Sequence, residues 1–290
     1  MSTLTAPHQV VDVLAPAEQK VPFVFASPHS GSDYPPDFIR ASVLDPVCLR
    51  QSEDFYVDQI FTSVVNFGAP LIRALFPRVF LDPNREPYEL DPTMFADDLP
   101  AYVNTRSPRL AAGLGTIAKV VSTGAHIYAS KLRFAEAEQR IHTFYQPYHQ
   151  TLQHLVEVTR QRFGYCVVVD CHSMPSSGGI MDADPQLQKV DFVLGDRFGT
   201  SCARVFITAA ELALKAHGYH VIRNKPYAGG YTTCRYGHPN RHIHAFQIEI
   251  NRRLYVDEKT YAPLPGLEAL QETVIALVAA LVVTTQQIHI

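Results

Sequence analysis

The chain has 290 residues, 47% hydrophobic and 18% charged, with 25 Lys and Arg set against 28 Asp and Glu. Those proportions belong to an ordinary globule with a substantial core. A net charge of −3, with no long block of Lys or Arg, speaks against a nucleic-acid partner.

The length suits one large α/β domain or two small ones. Cys48, Cys166, Cys171, Cys202 and Cys234 form no CxxC pair and are odd in number, which suits reduced thiols in a cytoplasmic protein. The N-terminus has neither the basic segment nor the apolar segment of a signal peptide. The longest apolar run, Val274–Val283, is too short to span a bilayer, so no membrane partner is expected and the run reads as a buried helix.

In chain order, residues 1–20 read as an irregular or weakly paired leader. One catalytic domain is expected over 21–290. Val21–Ala26 is the first strand, and Pro35 and Pro36 force a loop after it. Phe55, Val57, Ile60, Phe61, Val64 and Val65 set a helical stripe over 54–66 that Gly68 closes. Strands follow at 70–75 and 78–81, and 87–125 reads as a long irregular excursion. A long helix is expected over 129–162, bent or interrupted at Pro147, with His142, His149 and His154 as packing or solvated residues. The segment 176–179 reads as a flexible loop. Strands are expected at 190–195, 219–224 and 243–250, the last half-exposed, and helices at 200–215 and 267–285. Strands alternating with helices predict an α/β fold, a central mixed and mainly parallel sheet with helices on both faces.

The stretch around which the rest is arranged is 163–176. Cys166–Val169 is an apolar, β-branched run of the kind buried at the centre of a sheet. It ends in Asp170, His172 and Ser173, at the strand end where ligands of open α/β sheets bind. Period-2 alternation puts Asp170 and His172 on one side, so the carboxylate can orient the imidazole. The first strand has the same design and runs into Ser27-Pro-His29. Two neutral imidazoles plus one carboxylate form a typical three-ligand catalytic zinc set with a fourth position open. Asp82, Asp170 and Glu249 at strand ends and Glu53 and Asp54 at a helix start are the acids on offer. The competing view is that His29 and His172 only cap their strands. A second cluster, His238, His242 and His244, lies partly in a Pro/Asn loop and reads as a surface basic loop, with His244 the member nearest the site. Asn84-Arg85 is a substrate anchor, because a guanidinium fork binds a carboxylate in bidentate fashion. Glu249 is a candidate general base.

Together, Ser27-Pro-His-Ser-Gly31, Glu53-Asp54-Phe55, Leu81-Asp-Pro-Asn-Arg85, Val169-Asp-Cys-His-Ser173, Asp191-Phe-Val-Leu-Gly195, Gly229-Gly-Tyr-Thr-Thr233 and 244–250 resemble the N-formylglutamate amidohydrolase family. The resemblance implies a zinc-dependent α/β fold of the phosphorylase/hydrolase-like type, related to the zinc carboxypeptidases. It implies one Zn2+ on His29, Asp54 (or Glu53) and His172, an anchor at Asn84 and Arg85 with His244 beside the substrate, Asp170 behind His172, and Glu249 as general base. The implied substrate is a small N-acyl amino acid such as N-formylglutamate, giving formate and glutamate. A zinc exopeptidase or a general N-acyl-amino-acid hydrolase would use the same site. A non-catalytic binder of an anionic metabolite would not need Glu249.

Overall fold

A computed structural model describes residues 9–176 and 189–286. Seven strands form one mixed sheet: β1 (Val11–Leu14), β2 (Phe23–Ser27), β3 (Leu71–Ala74), β4 (Cys166–Met174), β5 (Phe192–Gly195), β6 (Val221–Arg223) and β7 (Ile243–Asn251), in the order β1-β3-β2-β4-β7-β5-β6. The pairs β2–β4, β4–β7 and β5–β6 are parallel, whereas β5 runs antiparallel to β7. The expected α/β class and mainly parallel mixed sheet are therefore found.

The chain packs as two compact units. One comprises residues 13–27, 54–72, 152–176 and 189–286 and carries most of the sheet. On one sheet face, Phe23, Phe25, Val167, Val169, Cys171, Phe192, Leu194, Phe246, Ile248 and Ile250 are buried in one apolar core. The helices Arg204–Ala216 and Gly266–Thr285 pack on each other and supply Phe206, Ile207, Leu214, Val274, Leu277, Val278 and Leu281 to it. The last helix is, by length and composition alone, long and apolar enough to cross a bilayer. Its buried stripe is that of a core helix. Gly68, at φ +83, ends the Thr62–Phe67 turn where a Cβ would meet the backbone nitrogen of Lys20 at 2.7 Å, so only glycine fits.

The other unit comprises residues 9–12, 28–53 and 73–151. Its own small core gathers Leu90, Met94, Phe95, Val103, Ile117, Leu132 and Ala137. Arg140 is buried with its guanidinium over the Phe80 ring, 4.4 Å from the centroid, and donates to the Phe80 carbonyl and the Tyr128 hydroxyl.

Several expectations change. Residues 11–14 of the expected leader are an edge strand, with Asp12 paired to Arg73 at 2.8 Å; residues 1–8 lie outside the described residues. The expected strand at 78–81 is a turn, because the Phe80 and Leu81 amides donate back to the Pro77 carbonyl. The 54–66 helix splits into Val57–Ile60 and a 3-10 turn. The long helix begins at Phe134 and passes Pro147 without breaking: a π turn at Ile141–Tyr145 widens the ladder just before the residue that cannot donate. The strand β7 is buried along nearly all its length instead of half-exposed. Of the expected loop at 176–179, all but Ser176 lies outside the described residues.

Candidate active site

Because alternate residues of a strand face opposite ways, burying Val167, Val169 and Cys171 in the core turns Asp170 and His172 to the other face. The register with β7 sets Asp170 beside Gln247 and His172 beside Glu249, and parallel neighbours share a face. The strand does not stop at Val169 but runs to Met174, so these polar side chains are fixed by the ladder and all are buried.

His172 faces a carboxylate at each ring nitrogen: Nε2 is 3.0 Å from Asp170 Oδ2, and Nδ1 is 3.1 Å from Asp54 Oδ2. Burial disfavours the charged imidazole, but Asp170, Asp54 and Glu249 outweigh it and hold the His172 pKa well above the usual histidine range. With Nε2–H donated to Asp170, the Nδ1 and Asp54 lone pairs point at one another. Such a pair needs a cation between its members, either a proton or a metal ion. Asp54 accepts from Arg252 Nη2 through Oδ1 at 3.1 Å, so Oδ2 is left turned toward His172. Arg252 is itself buried and donates from Nε to Ser173 Oγ at 3.1 Å.

His29 sits two residues past the end of β2 and is buried. Its Nε2 donates to Asp82 Oδ1 at 2.7 Å, which makes Nδ1 the nitrogen with a lone pair to offer. Asp82 also accepts from Arg78 at 2.9 Å and from the Asn84 amide at 2.8 Å. Burial alone would raise the Asp82 pKa; His29, Arg78 and Arg85 outweigh it and hold the carboxyl well below its usual range. One ligand atom each from His29, Asp54 and His172, all buried, lie within 4.8 Å of one another. Two imidazoles and a carboxylate, each imidazole backed by a second carboxylate, are a donor set that could hold a metal ion. Glu53, the alternative ligand, is not in this group: Arg50 clamps it through Nε and Nη2, and the Tyr34 hydroxyl donates to it at 2.7 Å.

Glu249 accepts from Gln247 Nε2, and Gln247 Oε1 in turn accepts the Gly230 amide at 2.7 Å. Gly229, at φ +123, makes that approach possible, since a Cβ there would lie 2.4 Å from Thr233 Oγ1. The Gly-Gly loop is thus tied to the carboxylate through one amide side chain. Arg85 donates to the Leu114 and Asn84 carbonyls, each at 3.2 Å, and lies 3.8 Å from Asp82. Burial, then the nearby Arg109 and Arg78, bring its pKa down to about 10 against the opposing pull of Asp82 and Glu89. Arg85 makes no ion pair with Glu86 or Glu89 among the described residues; Glu86 accepts from Asn104 instead.

His244 does not join this group. It pairs with Val167 at the opposite end of the strand, five residues or about 16 Å from Glu249, and odd spacing turns it to the other face. There it packs beside Phe206 and Tyr165, with ring centroids 5.2 and 6.4 Å away. Its Nδ1 accepts the Ala203 amide, and burial brings its pKa down to about 4. His238 and His242 are exposed, as a surface loop requires. Three contributors were not singled out from the sequence: Arg252, Gln247 and the pairing of Asp82 with His29. His149 also has a structural role, its Nε2 donating to the Pro83 carbonyl at 2.8 Å.

Comparison with known proteins gives this geometry a context. The model of the N-formylglutamate amidohydrolase family matches residues 21–256. An N-formylglutamate deformylase of Pseudomonas putida is 27% identical over 249 residues, covering 85% of this chain and 86% of that protein. One of Pseudomonas aeruginosa is 27% identical over 274 residues, covering 93% and 94%. The crystal structure of N-formylglutamate amidohydrolase from Ralstonia eutropha JMP134 superposes with a TM-score of 0.85 at 36% identity, over 93% of this chain and 96% of that one. A gene product of Agrobacterium tumefaciens shares the fold at 19% identity, with a TM-score of 0.66, over 94% of this chain and 95% of that one. A family match across most of the chain, met by a relative of the same name at 36% identity, leads to one conclusion: the chain belongs to the N-formylglutamate amidohydrolase family.

Proposed function

We propose that this amide hydrolase removes the formyl group from an N-formylated acidic amino acid such as N-formylglutamate, giving formate and the free amino acid, with one zinc ion held by His29, Asp54 and His172. The observation that carries the reading is the buried His-Asp-His donor set, together with a carboxylate, Glu249, paired across the strands with His172. The names of the relatives support the substrate class.

When bound, the zinc ion supplies Lewis acidity, activating water near neutral pH and drawing charge from the acyl oxygen. Glu249 takes the proton of the attacking water and passes it to the amide nitrogen as the C–N bond breaks, so the amine leaves neutral. Gln247 holds the Glu249 carboxylate in place through one of its oxygens. Asp170 and Asp82 hold the two imidazoles in the tautomer that presents Nδ1. Arg252 keeps Asp54 from turning its second oxygen away. Arg85 and Asn84 take the α-carboxylate of the substrate and fix its orientation.

The test is release of formate and glutamate from N-formyl-L-glutamate by the purified protein, before and after chelation and after zinc is restored. The reading expects about one zinc per chain, loss of turnover on chelation and its recovery with zinc. Full turnover by the metal-free protein would overturn the zinc assignment. Tight binding of the substrate without turnover would make the protein a binder.

A further inference from the structure

We infer that Arg109 reads the side-chain carboxylate of the substrate, so that the enzyme selects N-formyl amino acids with an acidic side chain. The inference rests on the function proposed above and names the residue behind its selectivity.

Arg109 lies in the short helix Pro108–Ala111, where the Ser107 hydroxyl accepts its amide at 3.2 Å. The turn that follows folds back on it: the Leu114 amide donates to the Arg109 carbonyl at 3.0 Å. The Leu114 carbonyl then accepts from Arg85 Nε at 3.2 Å. One turn of backbone therefore holds both arginines. Their charges are close enough that Arg109, like Arg78, counts among the groups that make Arg85 less basic.

The local acids do not balance these cations. Asp82 is already engaged by His29, by Arg78 and by the Asn84 amide. Glu89 is buried and makes no ion pair with either arginine among the described residues. The Arg109 side chain is half-buried and has no hydrogen bond or ion pair among the described residues. Arg78, Arg85 and Arg109 are three guanidiniums against two carboxylates, Asp82 and Glu89, so one positive charge is left over until an anion arrives. A single carboxylate is served by the Arg85 fork alone. A dicarboxylate gives each arginine its own partner.

The test compares kcat/KM for N-formyl-L-glutamate and its neutral near-isostere N-formyl-L-glutamine. The wild type, Arg109→Ala, Arg109→Lys, Arg85→Ala and Arg197→Ala are measured. Arg197 is the control, a half-buried arginine in the other unit whose side chain makes no ion pair among the described residues. Arg109→Ala should collapse the glutamate-to-glutamine ratio by about 10–100-fold, the size of a lost charge-assisted hydrogen bond, through KM rather than kcat. Arg109→Lys should restore part of the ratio, and Arg85→Ala should weaken both substrates alike. An unchanged ratio in Arg109→Ala, or a collapse produced by Arg197→Ala instead, overturns the assignment. If the wild type turns over neither substrate, the proposed function fails separately. Calorimetric titration of N-acetyl-L-glutamate against N-acetyl-L-glutamine then decides Arg109 by whether Arg109→Ala abolishes or keeps the preference.

Discussion

Replacing Asp82 by Asn removes one negative charge while keeping nearly the same shape. An asparagine oxygen can still accept from His29 Nε2 and from the Asn84 amide, the two bonds made now at 2.7 and 2.8 Å. Its NH2 group would then face Arg78, which now donates to the carboxylate at 2.9 Å. Two donors would meet there. The residue can satisfy His29 or Arg78, but not both, and His29 loses the anion that fixes its tautomer. Losing such a partner behind a metal ligand costs about 10–100-fold in metal affinity, or about 1.4–2.7 kcal/mol. Weakening the Arg78 contact lowers folding stability by at most about 1–3 kcal/mol, since the guanidinium is mostly but not fully buried. The pH dependence has a definite sign. Asp82 titrates lower in the folded than in the unfolded chain, so its contribution is complete above about pH 4 and is lost as the pH falls through the folded value. The stability gap between wild type and Asp82→Asn should therefore narrow on acidification. Zinc affinity by competition with a chromophoric chelator, with denaturant titrations at several pH values, measures both effects. A zinc affinity within about twofold of wild type would refute the claim that Asp82 holds His29 for a metal.

Other expectations follow from the same geometry. Arg85→Ala should chiefly raise KM for carboxylate-bearing substrates, and that sensitivity should vanish for a substrate whose α-carboxylate is amidated; a fall in kcat larger than the rise in KM would put Arg85 at the reacting carbonyl instead. His244, neutral and brought down to about 4 by burial, should make wild-type stability fall between about pH 6.5 and 4, as its unfolded form takes up a proton first. His244→Gln should flatten that slope in thermal melts and leave KM for N-formylglutamate near wild type, and an altered KM would return His244 to the substrate.

What could be read from the sequence was local, and what could not was pairing. Asp170 and His172 were legible because an apolar β-branched run gave way to period-2 polar residues on the same strand. The Asp54–His172 contact joins residues 118 apart, and Arg252–Asp54 joins residues 198 apart. No spacing rule reports such pairs, which is why Glu53 stands in the sequence as an alternative to Asp54, whereas in the fold Arg50 occupies Glu53. The strand β7 alternates polar and apolar residues for a reason that its pattern does not distinguish: Gln247 and Glu249 face a buried polar site rather than water. His244 was drawn toward the site by nearness along the chain, although an odd separation from Glu249 sends it to the opposite face. The strand expected at 78–81 failed because a Pro77 carbonyl accepting two amides makes a turn out of residues with strand propensity.

The central claim is that Glu249 moves the proton in a zinc-dependent hydrolysis, and Glu249→Gln tests it most directly. The amide keeps the size of the carboxylate, and with its ends exchanged its oxygen or nitrogen can still meet Gln247, so the fold should survive. Zinc content and formate release from N-formyl-L-glutamate are measured on the same preparation of each protein. The account predicts zinc content equal to wild type, a KM changed little, and a rate lower by about 10²–10⁴-fold. Near wild-type turnover by a zinc-loaded Gln variant would contradict it.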